Sequence, residues 1–193
     1  ASEQIFENYD QVIVCTYADT NELLSKFPKT QLKAQFEICE KIFVKLPKSF
    51  HKKSIVIMDG PFMSIDPVGK TDLFVIGDVV NTVLYSNIGT KPKLEKKFLG
   101  VLNRGIISNP PFTNFESFID SATKFMPEAS KAKHVGSSFC IKTVLSNMEE
   151  TDERPTLVRK INDKIISVFS GKIPTCVNAA KKVEEMISLS HQD

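Results

Sequence analysis

A series of short apolar segments between residues 31 and 85 is the feature that most constrains the fold. In the first and longest segment, apolar side chains recur at every second position, at Leu32, Ala34, Phe36 and Ile38, and Ile42 and Val44 continue the same face. This period of two is typical of a strand with one buried face. Four shorter segments follow at 55–58, 62–65, 73–76 and 79–85, separated by Asp-Gly, Pro and Gly turns. The spacing predicts an antiparallel meander.

The middle of the chain changes to a helical period, and two helices are predicted there. The first follows Pro92 and carries an apolar face formed by Leu94, Phe98, Val101 and Leu102. The second begins at a capping-box pattern formed by Thr113 and Glu116. Its apolar stripe consists of Phe115, Phe118, Ile119, Ala122 and Met126. We expect these helices to cover one face of the sheet.

Strand patterns return near the C-terminus, at 135–145, 157–161 and 165–169. The chain then closes with a helix that carries one apolar face, formed by Cys176, Ala180, Val183 and Ile187. The sequence therefore predicts an α+β fold. In this fold a mainly antiparallel mixed sheet is flanked by helices, and the chain ends in a strand, a turn and a helix.

Charge and composition argue against two classes of partner. The 193 residues include 25 lysines and arginines against 23 acidic residues, a formal net charge of +2. This balance lacks the basic field that nucleic-acid binding usually requires. No apolar run approaches the roughly 20 residues that a membrane-spanning helix needs. We therefore expect neither a nucleic-acid partner nor a membrane partner, and we expect a cytoplasmic protein.

The cysteines are few and widely separated. Cys15, Cys39, Cys140 and Cys176 form no C-x-x-C pair and accompany no cluster of histidines, so no metal site is predicted. Each lies within an apolar strand or helix pattern. We expect four buried free thiols in a reducing compartment.

Familiar nucleotide-binding and hydrolytic motifs are absent from the sequence. The Gly69-Lys70-Thr71 triplet resembles the end of a phosphate-binding loop, but Ser64 stands where that loop needs its first glycine, and a strand pattern follows. The eight glycines include no G-x-G pair, so the chain is not expected to hold a dinucleotide unaided. The three histidines accompany no nucleophile with a positioned partner, so hydrolase chemistry has no support.

The last strand is followed by the turn Ser170-Gly171-Lys172-Ile173-Pro174-Thr175 and then by the final helix. A glycine at the end of a strand lets backbone N–H groups approach a planar ligand closely. The helix that follows presents unpaired N–H groups and a partial positive charge. From the residues alone, the turn is consistent with a contact to an electron-rich planar ligand or with an ordinary connection between strand and helix.

This closing segment and the order of the preceding elements resemble the C-terminal half of FAD-dependent oxidoreductases of the D-amino acid oxidase superfamily. Residues 9–17 resemble the strand that leaves the FAD-binding part of those enzymes, with Tyr17 in place of the usual glycine. The resemblance implies an FAD cofactor in the intact protein. The residues that it implies as cofactor contacts are Thr16, Tyr17, Gly171, Lys172, Ile173 and Thr175. An ordinary buried strand is the alternative interpretation of residues 9–17.

Residues 142–155 resemble the R-P-x-T-x-D-x-x-P region of the same superfamily, where an arginine approaches the substrate. Thr151, Asp152 and Pro155 fit the second part of that region loosely. Lys142 stands where the arginine is expected. A lysine provides a point charge without the planar fork that binds a carboxylate through two hydrogen bonds.

A second register of the same region places Arg154 at the position of the arginine. The resemblance thus implies Lys142 and Arg154 as substrate contacts and Tyr85 as part of the wall of the substrate site. For the two charged residues, a surface position or a structural ion pair is the alternative. For Tyr85 the alternative is packing.

The resemblance divides the chain into three parts within one compact unit. Residues 1–30 correspond to the end of the FAD-binding part, 31–145 to a substrate-type domain, and 146–193 to the flavin-contact strand and helix. The dinucleotide-binding half is missing, so the resemblance implies a fragment that is inactive alone and whose FAD-binding half is supplied in cis or in trans.

The intact enzyme would oxidise a small amine or hydroxy metabolite by hydride transfer to flavin. The alternative is a non-catalytic stand-alone domain, derived from that fold, that binds a small molecule or a protein. The sequence leaves the substrate, the electron acceptor and the oligomeric state open. For the enzyme we expect Gly171→Val to abolish flavin retention while this domain stays folded.

Overall fold

The computed structural model describes residues 9–58, 60–146 and 154–190. Contacts between residues divide the chain into two compact units. Unit 1 takes its residues from 1–36, 88–92 and 143–193, and unit 2 takes its residues from 37–87 and 93–142. The described residues of each unit are treated separately below.

The described part of the chain contains nine strands and four α-helices, joined by several short 3₁₀ turns. In chain order they are β1 Val12–Val14, α1 Thr20–Leu23, β2 Ala34–Lys45, β3 Ile55–Ile57, β4 Met63–Pro67, β5 Phe74–Asp78, β6 Val83–Gly89, α2 Lys96–Leu99, α3 Phe115–Thr123, β7 Lys133–Leu145, β8 Leu157–Asn162, β9 Ile165–Phe169 and α4 Cys176–Ser190. The predicted α+β fold is confirmed, including the closing strand and helix. The predicted antiparallel meander holds for β3, β4 and β5, whereas β2 lies between β5 and β6.

A six-stranded sheet contributes the core of unit 2. Its strands lie in the order β3-β4-β5-β2-β6, and β7 pairs with β2 outside this path. The pairs β3–β4, β4–β5 and β2–β5 are antiparallel, with Ile42 opposite Ile76 and Ile65 opposite the same residue on the other side. This register places the apolar face that the alternation predicts in the interior.

Helix α3 packs its apolar stripe into that core. Phe118 and Ala122 are fully buried together with Ile42, Ile65 and Ile76. Burying a large apolar side chain contributes about 1.5–3 kcal/mol relative to leaving it exposed. The predicted stripe of this second helix is thus confirmed, and it holds α3 against the sheet.

The predicted capping box at the start of α3 is wrong. The helix begins at Phe115 and its N-cap residue is Asn114, which makes no side-chain capping bond. The Thr113 hydroxyl accepts from the N–H of Phe115, the first helical residue, at 3.1 Å and donates to Glu40 Oε1 at 2.5 Å. Glu40 is fully buried, and a buried carboxylate needs hydrogen-bond donors.

The other predicted helix in the middle of the chain is much shorter than expected. Helix α2 covers only Lys96–Leu99. Leu102, expected on its apolar face, forms a β-bridge with Phe139 instead. A backbone pairing with a residue distant in sequence overrides the local helical pattern here.

Unit 1 contains a three-stranded sheet in the order β1-β9-β8. Strand β1 runs parallel to β9, with Val12 opposite Ile165 and Val14 opposite Ser167. Strand β8 runs antiparallel to β9. Helix α4 follows β9 after a 3₁₀ turn at Ile173–Thr175. Among the described helices, none is long and apolar enough to cross a membrane.

The expectation that all four cysteines are buried is wrong for three of them. Cys39 is buried in β2, whereas Cys15, Cys140 and Cys176 are exposed, and all four are free thiols. Cys15 follows a strand at the edge of its sheet, and Cys176 begins α4. An apolar pattern in the sequence indicates which face is apolar and leaves open whether another element covers it.

Candidate functional site

The parallel pair β1 and β9 in unit 1 brings the two predicted cofactor-contact segments together at the carboxyl ends of these strands. Strands β1 and β9 run in the same direction and in register, so Thr16 and Tyr17 follow one strand where Gly171 follows the other. The Tyr17 ring stacks on Phe169, with ring centroids 6.3 Å apart. Ligands of parallel sheets bind outside the carboxyl ends of the strands. A ligand of unit 1 is therefore expected beside the carboxyl ends of β1 and β9.

Tyr17 occupies the position where the resemblance calls for glycine, and its backbone adopts a glycine-like conformation. Its φ is 52°, in the left-handed region that costs a non-glycine residue roughly 1–2 kcal/mol. The phenol compensates by binding the backbone of Thr143 twice, since it donates to the carbonyl oxygen at 3.0 Å and accepts from the N–H at 2.9 Å. Tyr17 thus adopts the backbone conformation that the turn requires, and its side chain anchors the turn to β7.

Gly171 is required by the packing of its own turn. A Cβ atom at this position would lie 1.8 Å from the carbonyl oxygen of Arg154 and 2.7 Å from the carbonyl carbon of Pro155. The Gly171 N–H donates to Thr156 Oγ1 at 2.9 Å. This geometry overturns the expectation that Gly171→Val leaves the domain folded, because the backbone at Arg154 would have to move.

Two threonine hydroxyls close the same turn. Thr175 Oγ1 donates to the carbonyl oxygen of Lys172 at 2.6 Å. The Thr156 hydroxyl lies 2.5 Å from Thr175 Oγ1 and must be the donor in that contact, because the proton of Thr175 is already used. Thr156 therefore links β8 to the turn by accepting from Gly171 and donating to Thr175. The sequence analysis did not single out this residue.

An open apolar groove runs along α4 and one face of the small sheet, and we call it the α4 groove. Its volume is about 670 Å³. Strands β1 and β9 contribute Ile13 and Val168 to its lining, and Cys15 and Ser170 line it directly after these strands. Three predicted cofactor contacts, Lys172, Ile173 and Thr175, also line it, and Ile173 is 87% exposed. The groove thus begins at the carboxyl ends of β1 and β9.

The α4 side of the groove is the apolar face that the sequence predicts. Cys176, Ala180, Val183 and Ile187 all line the groove. Among the described side chains of α4, only Ala179 is buried. The predicted apolar face of α4 is confirmed, and it borders the open groove.

The α4 groove does not suit an entire FAD molecule. A dinucleotide needs donors for two phosphates, which a glycine-rich loop at a helix N-terminus usually provides. The charged residues that line the groove are one cation, Lys172, and one carboxylate, Glu184. The Gly171 N–H is already used within the turn. The residues present can form one apolar edge beside a flavin, and they do not form a complete FAD site.

The predicted substrate contacts lie in different units. Lys142 and Tyr85 belong to unit 2, and Arg154 belongs to unit 1. The Lys142 ammonium lies 2.8 Å from Glu37 Oε2 in a partly buried ion pair, and the Tyr85 ring packs 6.1 Å from that of Phe98. For Lys142 and Tyr85, these contacts within unit 2 match the structural alternatives that the sequence leaves open. The substrate roles remain predictions.

Two residues of the proposed substrate region, Thr151 and Asp152, lie outside the described residues. Across the described ranges, no three His, Cys, Asp or Glu side chains come together as a metal site would require.

Arg159 is a half-buried charged residue that no predicted motif included. Its Nε and Nη2 atoms are buried, and neither has a hydrogen-bond partner. Burial lowers the pKa of this guanidinium. Ser167 lies opposite Arg159 in the β8–β9 register, and its buried Oγ is also unpaired. The sequence of β8 contains two adjacent charged residues, Arg159 and Lys160, and carries no signal for which of them is the more buried.

The fold of the chain is similar to part of two oxidases of known structure. Glycine oxidase from Geobacillus kaustophilus matches 95% of this chain with a TM-score of 0.56 and 12% sequence identity. Iminodiacetate oxidase from Chelativorans sp. BNC1 matches 85% of it with a TM-score of 0.51 and 9% identity. The matched regions cover 42% and 37% of those enzymes, so the chain spans about two-fifths of their length. No protein-family model and no curated protein sequence matches the chain.

Proposed function

We propose that this chain is the substrate domain of an FAD-dependent oxidoreductase of the D-amino acid oxidase superfamily. The observation that carries the proposal is the likeness to two oxidases over 95% and 85% of the chain. The parallel pairing of β1 and β9 supports it independently, because it places Tyr17 and Lys172 near the ends of two adjacent strands. The intact enzyme would oxidise a small amine or hydroxy metabolite.

In this proposal the flavin accepts a hydride from the substrate, and the residues of this chain position both reactants. The turn after β9 would border the flavin with Ile173 and with the exposed Lys172 ammonium. A cation at that edge would favour the negative charge that the ring gains on reduction. The remaining contacts to FAD would come from a dinucleotide-binding half, in cis or in trans. Such an enzyme would be cytoplasmic.

The proposal also assigns a role to unit 2. Its sheet would form the wall of the substrate site, with Tyr85 and Lys142 as the candidate contacts. Lys142 is paired with Glu37, so it would bind an anionic substrate only by exchanging that partner. We therefore propose that a neutral or zwitterionic amine suits this site better than a dianion does.

Flavin content and reduction test the proposal. The chain alone should bind almost no FAD, whereas the longest natural reading frame that contains it should hold about one FAD per polypeptide. Anaerobic addition of glycine, iminodiacetate or a 2-hydroxy acid should bleach the flavin with one of these compounds. A folded full-length product without flavin, or one whose flavin none of them reduces, would reject the enzyme assignment.

Two lysine variants provide a matched comparison. Lys172→Met should slow flavin reduction in the full-length protein, because it removes the cation at the proposed flavin edge. Lys70→Met removes an exposed lysine of unit 2 and should leave the rate unchanged. Equal rates in the two variants would remove Lys172 from the proposed site.

The second candidate is a non-catalytic domain that binds a small molecule or a protein. The observation that favours it is the internal use of groups that an enzyme site would need. The Gly171 N–H binds Thr156, and Lys142 binds Glu37. A natural reading frame limited to this chain, with stable folding and no flavin, would favour this candidate.

A further inference from the structure

Two of the four free thiols lie on neighbouring strands of the six-stranded sheet. Cys39 belongs to β2 and Cys140 belongs to β7, and these two strands pair with each other. Both residues are part of unit 2. Cys39 is buried, whereas Cys140 is exposed. A disulfide can join two such cysteines only where the strand register brings their Cα atoms close together.

The direction of β7 relative to β2 follows from two contacts between their side chains. Lys142 Nζ lies 2.8 Å from Glu37 Oε2, and the Ser137 hydroxyl donates to Glu40 Oε1 at 2.6 Å. The residue numbers of the partners rise along β2 while they fall along β7. The two strands therefore run antiparallel.

The ion pair also gives the register of the two strands. With Glu37 opposite Lys142, the first residue of β2 lies opposite the last residue of β7, so β2 is paired over its whole length. Two residues further along β2 and two residues back along β7, Cys39 lies opposite Cys140. Residues two apart in a strand share a face. Both thiols therefore lie on the sheet face that carries the ion pair.

Backbone hydrogen bonds to other segments agree with this register. The Glu40 N–H donates to the carbonyl oxygen of Thr82, and Ser137 exchanges its backbone bonds with a segment outside β2. Because bonding directions alternate along a strand, Cys39 and Cys140 direct their backbone groups toward each other. The Cα atoms of such a hydrogen-bonded pair lie about 5.5 Å apart. This distance is within the range of about 4.4–6.8 Å that disulfides span.

We propose that Cys39 and Cys140 form a reversible cross-strand disulfide when the protein meets a peroxide. The Cys140 sulfur attacks one oxygen of hydrogen peroxide, the O–O bond breaks, and Cys140 becomes a sulfenic acid as water leaves. The Cys39 sulfur then attacks the Cys140 sulfur and displaces hydroxide, which takes up the Cys39 proton as water. The two sulfurs together lose two electrons, and the peroxide is reduced to two water molecules. This modification site is independent of the proposed function.

The surroundings of the two thiols assign the order of the steps. The exposed Cys140 is accessible to a dissolved peroxide. The surrounding protein raises the pKa of the Cys140 thiol, and the Lys41 ammonium opposes this rise. Burial raises the pKa of the Cys39 thiol to about 12, and the charges of Glu37 and Cys140 add smaller increases. Because the thiolate is the nucleophile, Cys140 reacts first and Cys39 resolves the sulfenic acid.

The geometry of the pair favours a disulfide that is easily reduced again. Cβ atoms of directly opposite residues lie about 4.5–5.5 Å apart, whereas those of a disulfide lie about 3.8 Å apart. Closing the bond therefore pulls β2 and β7 together locally, and strained disulfides are the more readily reduced ones. The ion pair of Lys142 with Glu37 is the next pair along the same face. Oxidation should therefore also disturb that ion pair.

The experiment uses the Cys15→Ser/Cys176→Ser variant, which lacks the other two thiols and replaces exposed residues. The reduced protein is treated with a small excess of hydrogen peroxide, digested without reductant and analysed by peptide mass spectrometry. The peptides of Cys39 and Cys140 should be joined within one chain, two hydrogen atoms lighter, and separated again by dithiothreitol. Unreacted thiols, a sulfinic acid at Cys140 beside a free Cys39 thiol, or joined peptides that disappear on dilution would overturn the proposal.

Two further variants in the same background test the resolving thiol and the register. Cys39→Ala should increase the sulfenic acid that dimedone traps at Cys140 by about tenfold, because nothing then resolves it. Cys140→Ser combined with Ser138→Cys moves the thiol to the next position on the same face. There the Cα separation from Cys39 is about 7–8 Å, beyond the reach of a disulfide, so the yield should fall about tenfold. Equal disulfide yields with the thiol at position 138 or 140, or unchanged trapping in Cys39→Ala, would overturn the proposal.

Discussion

The thiol of Cys39 should make folding stability depend on alkaline pH. Cys39 lies in β2 and is 2% exposed. Burial raises the pKa of this thiol from 9.0 to about 12, and the nearby Glu37 carboxylate adds a smaller increase. Cys39→Ala removes this titrating group.

The sign of the effect follows from proton binding. Between about pH 9 and pH 12 the folded state keeps the Cys39 proton and the unfolded state loses it. The stabilisation is therefore fully present below about pH 9 and is lost as pH rises toward 12. Each pH unit within this window costs about 1.4 kcal/mol. From about pH 8 to about pH 10.5, Cys39 should account for a loss of about 2 kcal/mol.

Urea unfolding followed by circular dichroism at a series of pH values measures this effect. Lysine and tyrosine titrations affect wild type and Cys39→Ala alike, so the difference between the two stability curves isolates Cys39. The cavity left by Cys39→Ala shifts the whole curve by a constant. Cys176→Ala removes an exposed thiol and should parallel the wild type. Parallel curves for wild type and Cys39→Ala would refute the reasoning.

Two further predictions concern buried polar groups. Glu40→Leu should lower the free energy of unfolding by about 3 kcal/mol in urea titrations, because it leaves the Thr113 and Ser137 hydroxyls and the Asn114 N–H without their acceptor. Glu40→Gln should lose less than about half of that, and an equal loss would contradict the account. Arg159→Met should raise the unfolding free energy by about 1 kcal/mol, because the guanidinium edge is buried without partners. A destabilised Arg159→Met protein would show that this edge has a partner in solution, and exposed Arg104→Met should change little.

Patterns that repeat along the chain predicted most of the fold. The alternation that ends at Val44 predicted β2 and its buried face, and the stripe through Phe118 predicted α3. Such patterns report which face of an element is apolar, and tertiary packing then selects that face. The same reasoning identified the apolar face of α4 and could not indicate that the face borders a groove.

Predictions that depend on partners distant in sequence were less successful. Thr113 was expected to form a capping box with Glu116, but Asn114 is the N-cap residue and the Thr113 hydroxyl donates to Glu40. The approach of Arg154 to Gly171 explains that glycine without a ligand, and no local pattern contains this contact. Lys142 meets Glu37 on another strand. A single sequence carries no signal for such pairs, because each residue type has many acceptable partners.

The two units are interleaved along the chain, and this determines the order in which they can fold during synthesis on the ribosome. Unit 2 ends at Lys142, whereas β1 of unit 1 pairs with β9, so Val12 meets Ile165 only after the intervening residues have been made. Domains fold as their residues emerge, and pairings of high sequence separation form last. Unit 2 can therefore be complete while β1 still lacks its neighbour. During that interval β1 is an unpaired apolar strand, and strands of this kind are prone to aggregate until they pair.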